Sequence, residues 1–81
     1  MLEALIAEGE ALEGKVAQGR FGNYFKTVDF ETWIAKAVGY LEGNKPKSAV
    51  TSRVLENYSK MNANNNFAIY QMTLGALKSL N

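Results

Sequence analysis

The side chains that most enzymes use for proton transfer, metal binding and nucleophilic attack are scarce in this sequence. It has no His and no Cys, so the commonest general base, the commonest metal ligands and the thiol nucleophile are missing. Eight carboxylates remain, and four of them, Glu3, Glu8, Glu10 and Glu13, lie in the first fourteen residues. Neither the Glu-x-x-His motif of di-metal helical bundles nor a Walker phosphate loop is present. We therefore expect a protein that is not an enzyme, with no catalytic residue, no metal site and no cofactor.

The charges are distributed unevenly along the chain. Residues 1–14 carry four Glu and no base, whereas residues 15–81 hold all nine Lys and Arg against four acids, for an overall net charge of +1. The simpler interpretation is a solvated acidic first helix. An electrostatic docking surface is the alternative.

The basic residues of the second half make nucleic-acid binding the second functional hypothesis. A short turn around Pro46 joins two predicted helices, which could form a helix-turn-helix. The third helix would then recognise the nucleic acid, with contacts from Lys45, Lys47, Arg53 and Lys60. Against this, Pro46 stiffens the turn, and a net charge of +1 is far from the strongly basic face of such modules.

Apolar residues at helical spacing predict an all-α fold of four helices, over about 2–16, 29–42, 48–61 and 66–80. No segment has the alternating period of a strand. The chain length suits one domain, residues 1–81, with a single core. Short connections favour antiparallel neighbours, in a compact four-helix bundle or an orthogonal four-helix cluster.

The second helix is expected to organise the core. Asp29 is its predicted N-cap, with Val28 and Trp33 as a hydrophobic staple. At the other end, the pair Gly43-Asn44 is predicted to end the helix by adopting the left-handed backbone conformation. Its apolar side chains cover an arc of about 160° and should touch at least two other elements. They are Phe30, Trp33, Ile34, Ala37, Val38, Tyr40 and Leu41. Trp33 should be buried against the first helix and the third or fourth.

Two features near the N-terminal end leave alternatives open. Gly9 lies on the apolar stripe of the first helix and indicates either a close helix crossing or mere tolerance. The first connection, residues 17–27, carries three aromatic side chains, Phe21, Tyr24 and Phe25. We expect them to cover the core as a lid; the alternative is an aromatic platform for bases or a planar ligand, beside Arg20 and Lys26.

The fourth helix is apolar on more than its core face. Its predicted inward positions are Phe67, Tyr70, Leu74, Leu77 and Leu80, and the third helix is expected to bury Val50, Val54, Tyr58 and Met61, with Ser48 as its cap. The opposite side of the fourth helix carries Ala68, Met72, Gly75 and Ala76, and Lys78 is the only charge. A helix apolar all round is normally covered all round. We therefore predict a contact surface there, for a protein partner or for a homodimer with Met72 near its axis. Small surface residues beside one stray Met are the alternative.

Short motifs give the chain a family resemblance. They are LIAEGEAL at Leu5–Leu12, a Trp-x-x-Lys-Ala pattern at Trp33–Ala37, Pro-x-Ser at Pro46–Ser48 and MTLGALKSL at Met72–Leu80. On these motifs the sequence resembles a small helical module of uncharacterised bacterial and phage-associated proteins. It departs from that pattern in a short first connection and in Thr73. The resemblance implies an interaction or accessory module, without an established activity, that often lies beside other domains.

The compartment is inferred from what the sequence lacks. No apolar run approaches the ~20 residues of a membrane span. The segment Leu2–Ala7 lacks the basic start of a signal peptide, and there is no Cys for a disulfide framework. We expect a cytoplasmic protein with no membrane contact.

Overall fold

The computed structural model describes residues 1–20 and 22–80. Along the chain the elements are α1, Leu2–Ala11; a 3₁₀ helix, Leu12–Lys15; β1, Ala17–Gly19; β2, Gly22–Tyr24; α2, Val28–Asn44; α3, Ala49–Ser59; and α4, Asn66–Ser79. The expectation of a mostly helical fold with four α-helices in this order is confirmed for the described residues. The helices pack around one hydrophobic core.

A small hairpin corrects the expectation of helices alone. Strands β1 and β2 pair antiparallel, with Gly19 opposite Gly22 at the loop end. Gly22 has φ +107°, a left-handed conformation that favours Gly over residues with a Cβ. Because each strand has only three residues, the sequence shows no alternating pattern long enough to indicate a strand. The first helix accordingly stops sooner than predicted, and the 3₁₀ helix leads into β1.

Both predicted ends of the second helix are wrong in detail. Thr27, not Asp29, is the N-cap of α2, because its side chain accepts a hydrogen bond from the Phe30 amide at 3.2 Å. Val28 is 79% exposed, so it forms no hydrophobic staple with Trp33. At the other end, Gly43 and Asn44 remain within α2, and Gly22 is the one described residue with a positive φ. The helix end predicted at Gly43-Asn44, with the backbone in the left-handed conformation, therefore does not form.

The predicted core face of α2 is confirmed. Six of its seven apolar residues are buried and Tyr40 is half-buried, and α2 packs against α1, α3 and α4. Trp33 is 2% exposed. Its ring Nε1 donates a hydrogen bond of 2.8 Å to the Leu5 carbonyl, and the ring centroid lies 5.5 Å from that of Tyr70 on α4. The indole therefore ties α1 and α4 to α2.

Of the two interpretations left open for Gly9, the structure supports the close helix crossing. A Cβ placed on Gly9 would lie 2.6 Å from Trp33 Cζ2 and 3.0 Å from Leu74 Cδ1. The Gly9 carbonyl accepts a hydrogen bond of 2.7 Å from the Tyr70 hydroxyl. Gly9 thus lets α1 approach both α2 and α4 more closely than any larger residue allows.

The fourth helix is as central as α2, and the outer side that the sequence predicts to lack a neighbour is narrower than expected. It packs against α1, α2, α3 and β2. Tyr70, Leu74 and Leu77 are buried as predicted, while Phe67 and Leu80 are half-buried. The core also takes Ile69, Thr73 and Ala76, which is 4% exposed. The scarcity of charged residues on α4 is therefore explained in large part by the burial of this helix within the domain.

On α3 the predicted cap is confirmed and the predicted stripe is wrong at one position. The Ser48 hydroxyl accepts a hydrogen bond from the Val50 amide at 3.2 Å. Val54 is buried, and Tyr58 and Met61 are half-buried, but Val50 is 46% exposed. Thr51 takes its place in the core. The predicted stripe of α3 is therefore wrong only in its first turn, where Thr51 is buried instead of Val50.

Among the described residues, none of the helices combines the length and the apolar character that crossing a bilayer would require.

Candidate interaction surfaces

The first candidate surface is the outer face of α4. Ala68 and Gly75 are exposed there, and Met72 is half-buried against the edge of the core. We call Ala68, Met72 and Gly75 the α4 face. Ala76, predicted as a fourth member, belongs to the core instead, so the prediction is wrong for that residue. The nearby charge of Lys78 is paired with Glu10 of α1, Nζ to Oε2 2.8 Å.

Gly75 has no packing reason within the described structure. A Cβ built on it meets no atom within 4 Å, in contrast to the crowded Gly9. Within a helix, Gly is about 1 kcal/mol less favourable than Ala. The domain therefore bears this cost at Gly75 without an internal contact that requires it. A backbone approaching from outside would benefit from the missing side chain.

The second candidate surface lies on α3 and the turn before it. Pro46 and Lys47 form the centre of a turn closed by a hydrogen bond of 3.2 Å from the Ser48 amide to the Lys45 carbonyl, and the connection between α2 and α3 has four residues. The predicted contacts Lys45, Lys47, Arg53 and Lys60 are all exposed. Lys60 is paired with Glu56, Nζ to Oε1 3.6 Å. We call Lys45, Lys47 and Arg53, which form no ion pair with another described residue, the α3 basic face.

Ion pairs account for part of the uneven charge along the sequence. Glu8 of α1 pairs with Lys36 of α2 at 3.0 Å, and Glu10 pairs with Lys78 of α4. Lys15 pairs with Asp29, which explains Asp29 better than a capping role does. All three pairs join α1 or the 3₁₀ helix to a later helix. Because their side chains are about half-exposed, each pair contributes at most about 1 kcal/mol to the stability of the domain. Within the described residues, the acidic helix is therefore partly neutralised by its own domain.

The aromatic connection divides between core and surface. Phe25 is 3% exposed; its ring stacks on Phe30 at a centroid distance of 4.5 Å and meets the Tyr70 ring edge-on at 4.8 Å. The lid prediction is thus confirmed for Phe25. It is wrong for Tyr24, a half-buried ring that lies on Gly19 of the hairpin. Phe21 lies outside the described residues. A platform that includes the Phe25 ring is excluded, because that ring is in the core.

Asn66 fixes the hairpin to the helices, a role that the sequence did not reveal. This residue is 4% exposed. Its Oδ1 accepts from the Phe25 amide at 2.9 Å, and its Nδ2 donates to the Phe25 carbonyl at 2.8 Å. Both polar groups of the buried Phe25 backbone are thereby satisfied. The only available signal was the run of Asn before α4, which is equally typical of an exposed turn.

A cavity of about 320 Å³ opens between the hairpin and the connection from α3 to α4. We call it the hairpin pocket. Arg20, Asn23 and Tyr24 line it from the hairpin, and Ala63 and Asn64 line it from the connection. No acidic side chain is among its described lining residues. The described residues therefore offer to this pocket the Tyr24 ring, the Arg20 guanidinium and side-chain amide groups.

A second cavity, of about 340 Å³, lies between α1 and α2. Two ion pairs, Glu8–Lys36 and Lys15–Asp29, line it above Leu12 and Trp33. Its charged groups already have partners, which makes it less suited to a ligand than the hairpin pocket. In the part of the chain that the structure describes, no group of acidic side chains lies together in a way that would hold a metal ion.

One ionisable group is clearly perturbed by its surroundings. Burial raises the pKa of the Tyr70 hydroxyl above 10.0, and the charges of Glu13 and Glu10 raise it further. The same hydroxyl donates to the Gly9 carbonyl. Because this bond joins two helices in the interior, the shifted pKa of Tyr70 has a structural explanation.

Comparison of the chain with known protein families, with curated proteins and with solved structures finds no match. The resemblance to the bacterial and phage-associated helical module stays a prediction.

Proposed function

We propose that this chain is a non-enzymatic interaction module that associates through the α4 face, in its simplest form as a two-fold homodimer with Met72 near the axis. The observation that carries the proposal is that Gly75, a helix-interior glycine with open space where its side chain would be, lies on an outer face whose nearest charge, Lys78, is already paired. Gly39 of α2 has the same open space, but the charged Lys36 and Glu42 lie three residues to either side of it. Ala68, two turns earlier, is also small and exposed. The flexible thioether of Met72 between them can fill gaps against a second backbone.

The surrounding surface supports the same proposal. The charge of Lys78 is turned toward Glu10 of its own chain, so no unpaired charge between Phe67 and Leu80 would have to be desolvated in the interface. A two-fold axis would place each α4 face against its own copy, and a self-complementary patch is what such an axis requires.

The test is the molar mass in solution, measured by light scattering during size exclusion. The wild-type protein should have about twice the 8.9 kDa of one chain. Met72→Glu should give a folded monomer, because a carboxylate in an apolar contact is costly to desolvate. Since Met72 also touches the core, Gly75→Gln is the cleaner variant: it adds bulk where nothing in the domain is displaced.

Gly39→Gln is the matched control for this test. Gly39 is likewise exposed, lies within α2 and has open space around its missing side chain. The proposal expects Gly39→Gln to remain a dimer while Gly75→Gln becomes a monomer. A wild-type protein that is already monomeric at high concentration, or two variants that behave alike, would refute self-association through α4.

Nucleic-acid binding by the α3 basic face is the second candidate. It is supported by the exposed, unpaired state of Lys45, Lys47 and Arg53 among the described residues. Fluorescence anisotropy with a labelled DNA duplex is the test, because phosphate contacts lose affinity steeply between about 50 and 200 mM salt. Arg53→Ala should weaken such binding, whereas Lys36→Ala, which removes the same charge from α2, should not. Equal effects of both variants would refute recognition by α3.

A further inference from the structure

We propose that the hairpin pocket is a binding site for a nucleobase that carries a phosphate, with Tyr24 as the stacking surface and Arg20 as the phosphate contact. This site is separate from the α4 face and from the α3 basic face. The ligand chemistry could come from a free mononucleotide or from single-stranded nucleic acid. Binding at the hairpin pocket does not depend on self-association of the chain.

The hairpin is shaped to present the Tyr24 ring. A Cβ on Gly19 would lie 2.8 Å from Cε1 of that ring, so the glycine leaves room for the ring against the strand. Tyr24 is paired with Ala17, and Gly19 with Gly22 at the loop end, so the ring extends diagonally from its own pair toward the loop. Gly19 is therefore explained by the placement of a ring that the core does not use, since Tyr24 is not packed against the core cluster.

The opposite wall of the pocket is held by a network of Asn side chains. Asn62 Oδ1 accepts a hydrogen bond from the backbone N–H of Asn64 at 2.8 Å, and Asn65 Oδ1 accepts one from the backbone N–H of Asn62 at 2.7 Å. Asn65 Nδ2 also donates to the Lys60 carbonyl at 3.1 Å, which ties the connection to the end of α3. On the hairpin side, the Asn66–Phe25 hydrogen bonds anchor the end of β2. The connection and the end of β2 are thus fixed before a ligand arrives, which lowers the entropic cost of binding.

The lining groups match a planar base with an anionic group. Aromatic rings stack on the faces of bases, and this contact tolerates different bases. The guanidinium of Arg20 suits a phosphate in its shape and charge, and no described acid in the pocket opposes it. The side-chain amides of Asn23 and Asn64 each offer a hydrogen-bond donor and an acceptor to a base edge. A volume of about 320 Å³ is at the lower end of the range for small-molecule sites.

The experiment is a titration followed by amide chemical shifts, with adenosine monophosphate and a short single-stranded oligoadenylate as probes. The proposal expects shifts concentrated at residues 19, 20, 22–24, 63 and 64. Arg20→Ala should weaken binding about tenfold or more, as expected for a charge-assisted contact. Tyr24→Leu should weaken it by a similar factor, whereas Tyr24→Phe keeps the ring and should stay within about twofold.

Two comparisons decide the outcome and the source of the ligand. Arg53→Ala removes an equal charge outside the pocket and should leave affinity nearly unchanged. Much tighter binding of the oligonucleotide would identify a nucleic-acid strand as the source, and equal affinities would identify the free nucleotide. The proposal is refuted if neither probe moves the pocket amides, or if Arg53→Ala weakens binding as much as Arg20→Ala. The light-scattering test of the α4 face is unaffected by either result.

Discussion

The substitution Gly9→Ala tests the packing of the three central helices through the sign of its effect. In an open helix interior this change would stabilise the domain by about 1 kcal/mol through helix propensity. At Gly9 the new methyl group would lie 2.6 Å from Trp33 Cζ2 and 2.9 Å from Cε2. Real atoms do not approach so closely, so α1 or the indole must shift.

The indole cannot yield cheaply. It is 2% exposed, and its Nε1 is held by the Leu5 carbonyl at 2.8 Å. Overpacking of this kind costs about 1–3 kcal/mol, and disturbing the indole hydrogen bond adds about 1 kcal/mol. After the gain in propensity, we expect Gly9→Ala to lower the free energy of unfolding by about 1–3 kcal/mol.

The assay is urea denaturation followed by the fluorescence of Trp33, the one Trp of the chain. The midpoint of Gly9→Ala should fall by roughly 1 M or more. Gly39→Ala is the matched control, since a Cβ on Gly39 meets nothing within 4 Å, and it should raise stability by about 0.5–1 kcal/mol. A Gly9→Ala variant as stable as Gly39→Ala would refute the close crossing of α1 over α2 and α4.

Four more substitutions test the interior, each by thermal or urea unfolding. Trp33→Ala should cost about 3–5 kcal/mol, and near-wild-type stability would contradict its central position. Asn66→Ala should cost about 2 kcal/mol or more, because the buried amide and carbonyl of Phe25 lose their partners; an unchanged midpoint would exclude that anchor. The Thr73 hydroxyl is buried without a hydrogen-bond partner among the described residues, so Thr73→Val should stabilise by about 1 kcal/mol, and a loss of stability would indicate that the hydroxyl has a partner. Tyr70 has a raised pKa, so the unfolded chain releases this proton first and stability should fall as pH rises above about 10. Tyr70→Phe should remove that part of the fall, and an unchanged pH profile would exclude Tyr70 as its source.

The helical part of the fold was predictable because it follows from periodicity. The apolar arc of α2 identified the core face, and Gly9 on the stripe of α1 indicated the crossing that the structure contains. The hairpin was not predictable, because three-residue strands leave no alternation to recognise. Helix ends were the other weakness. Thr27 and Asp29 are both good N-caps by type, but in the structure Thr27 accepts the capping hydrogen bond from the Phe30 amide and Asp29 pairs with Lys15.

The surfaces were harder to predict than the core. A side chain on an apolar helix can belong to a contact surface only if no other element of the domain covers it. Whether it is covered depends on tertiary packing, which the helical spacing of apolar residues does not reveal. Ala76 illustrates the error, because α4 has neighbours on more sides than its sequence indicates. Asn66 illustrates the reverse error, since a polar residue in a turn-like run lies in the interior and holds the Phe25 backbone.

A cysteine at the proposed axis would reveal whether two chains meet through the α4 face. The chain has no Cys, so Met72→Cys introduces a single thiol, and a disulfide forms only if the two Cα atoms come within about 7 Å. Val28→Cys is the control, at a position that is 79% exposed and outside the proposed contact. Under mild oxidation, Met72→Cys should convert rapidly to a covalent dimer while Val28→Cys stays mostly monomeric. If Val28→Cys cross-links as fast as Met72→Cys, or Met72→Cys does not cross-link at all, the α4 face is not the contact.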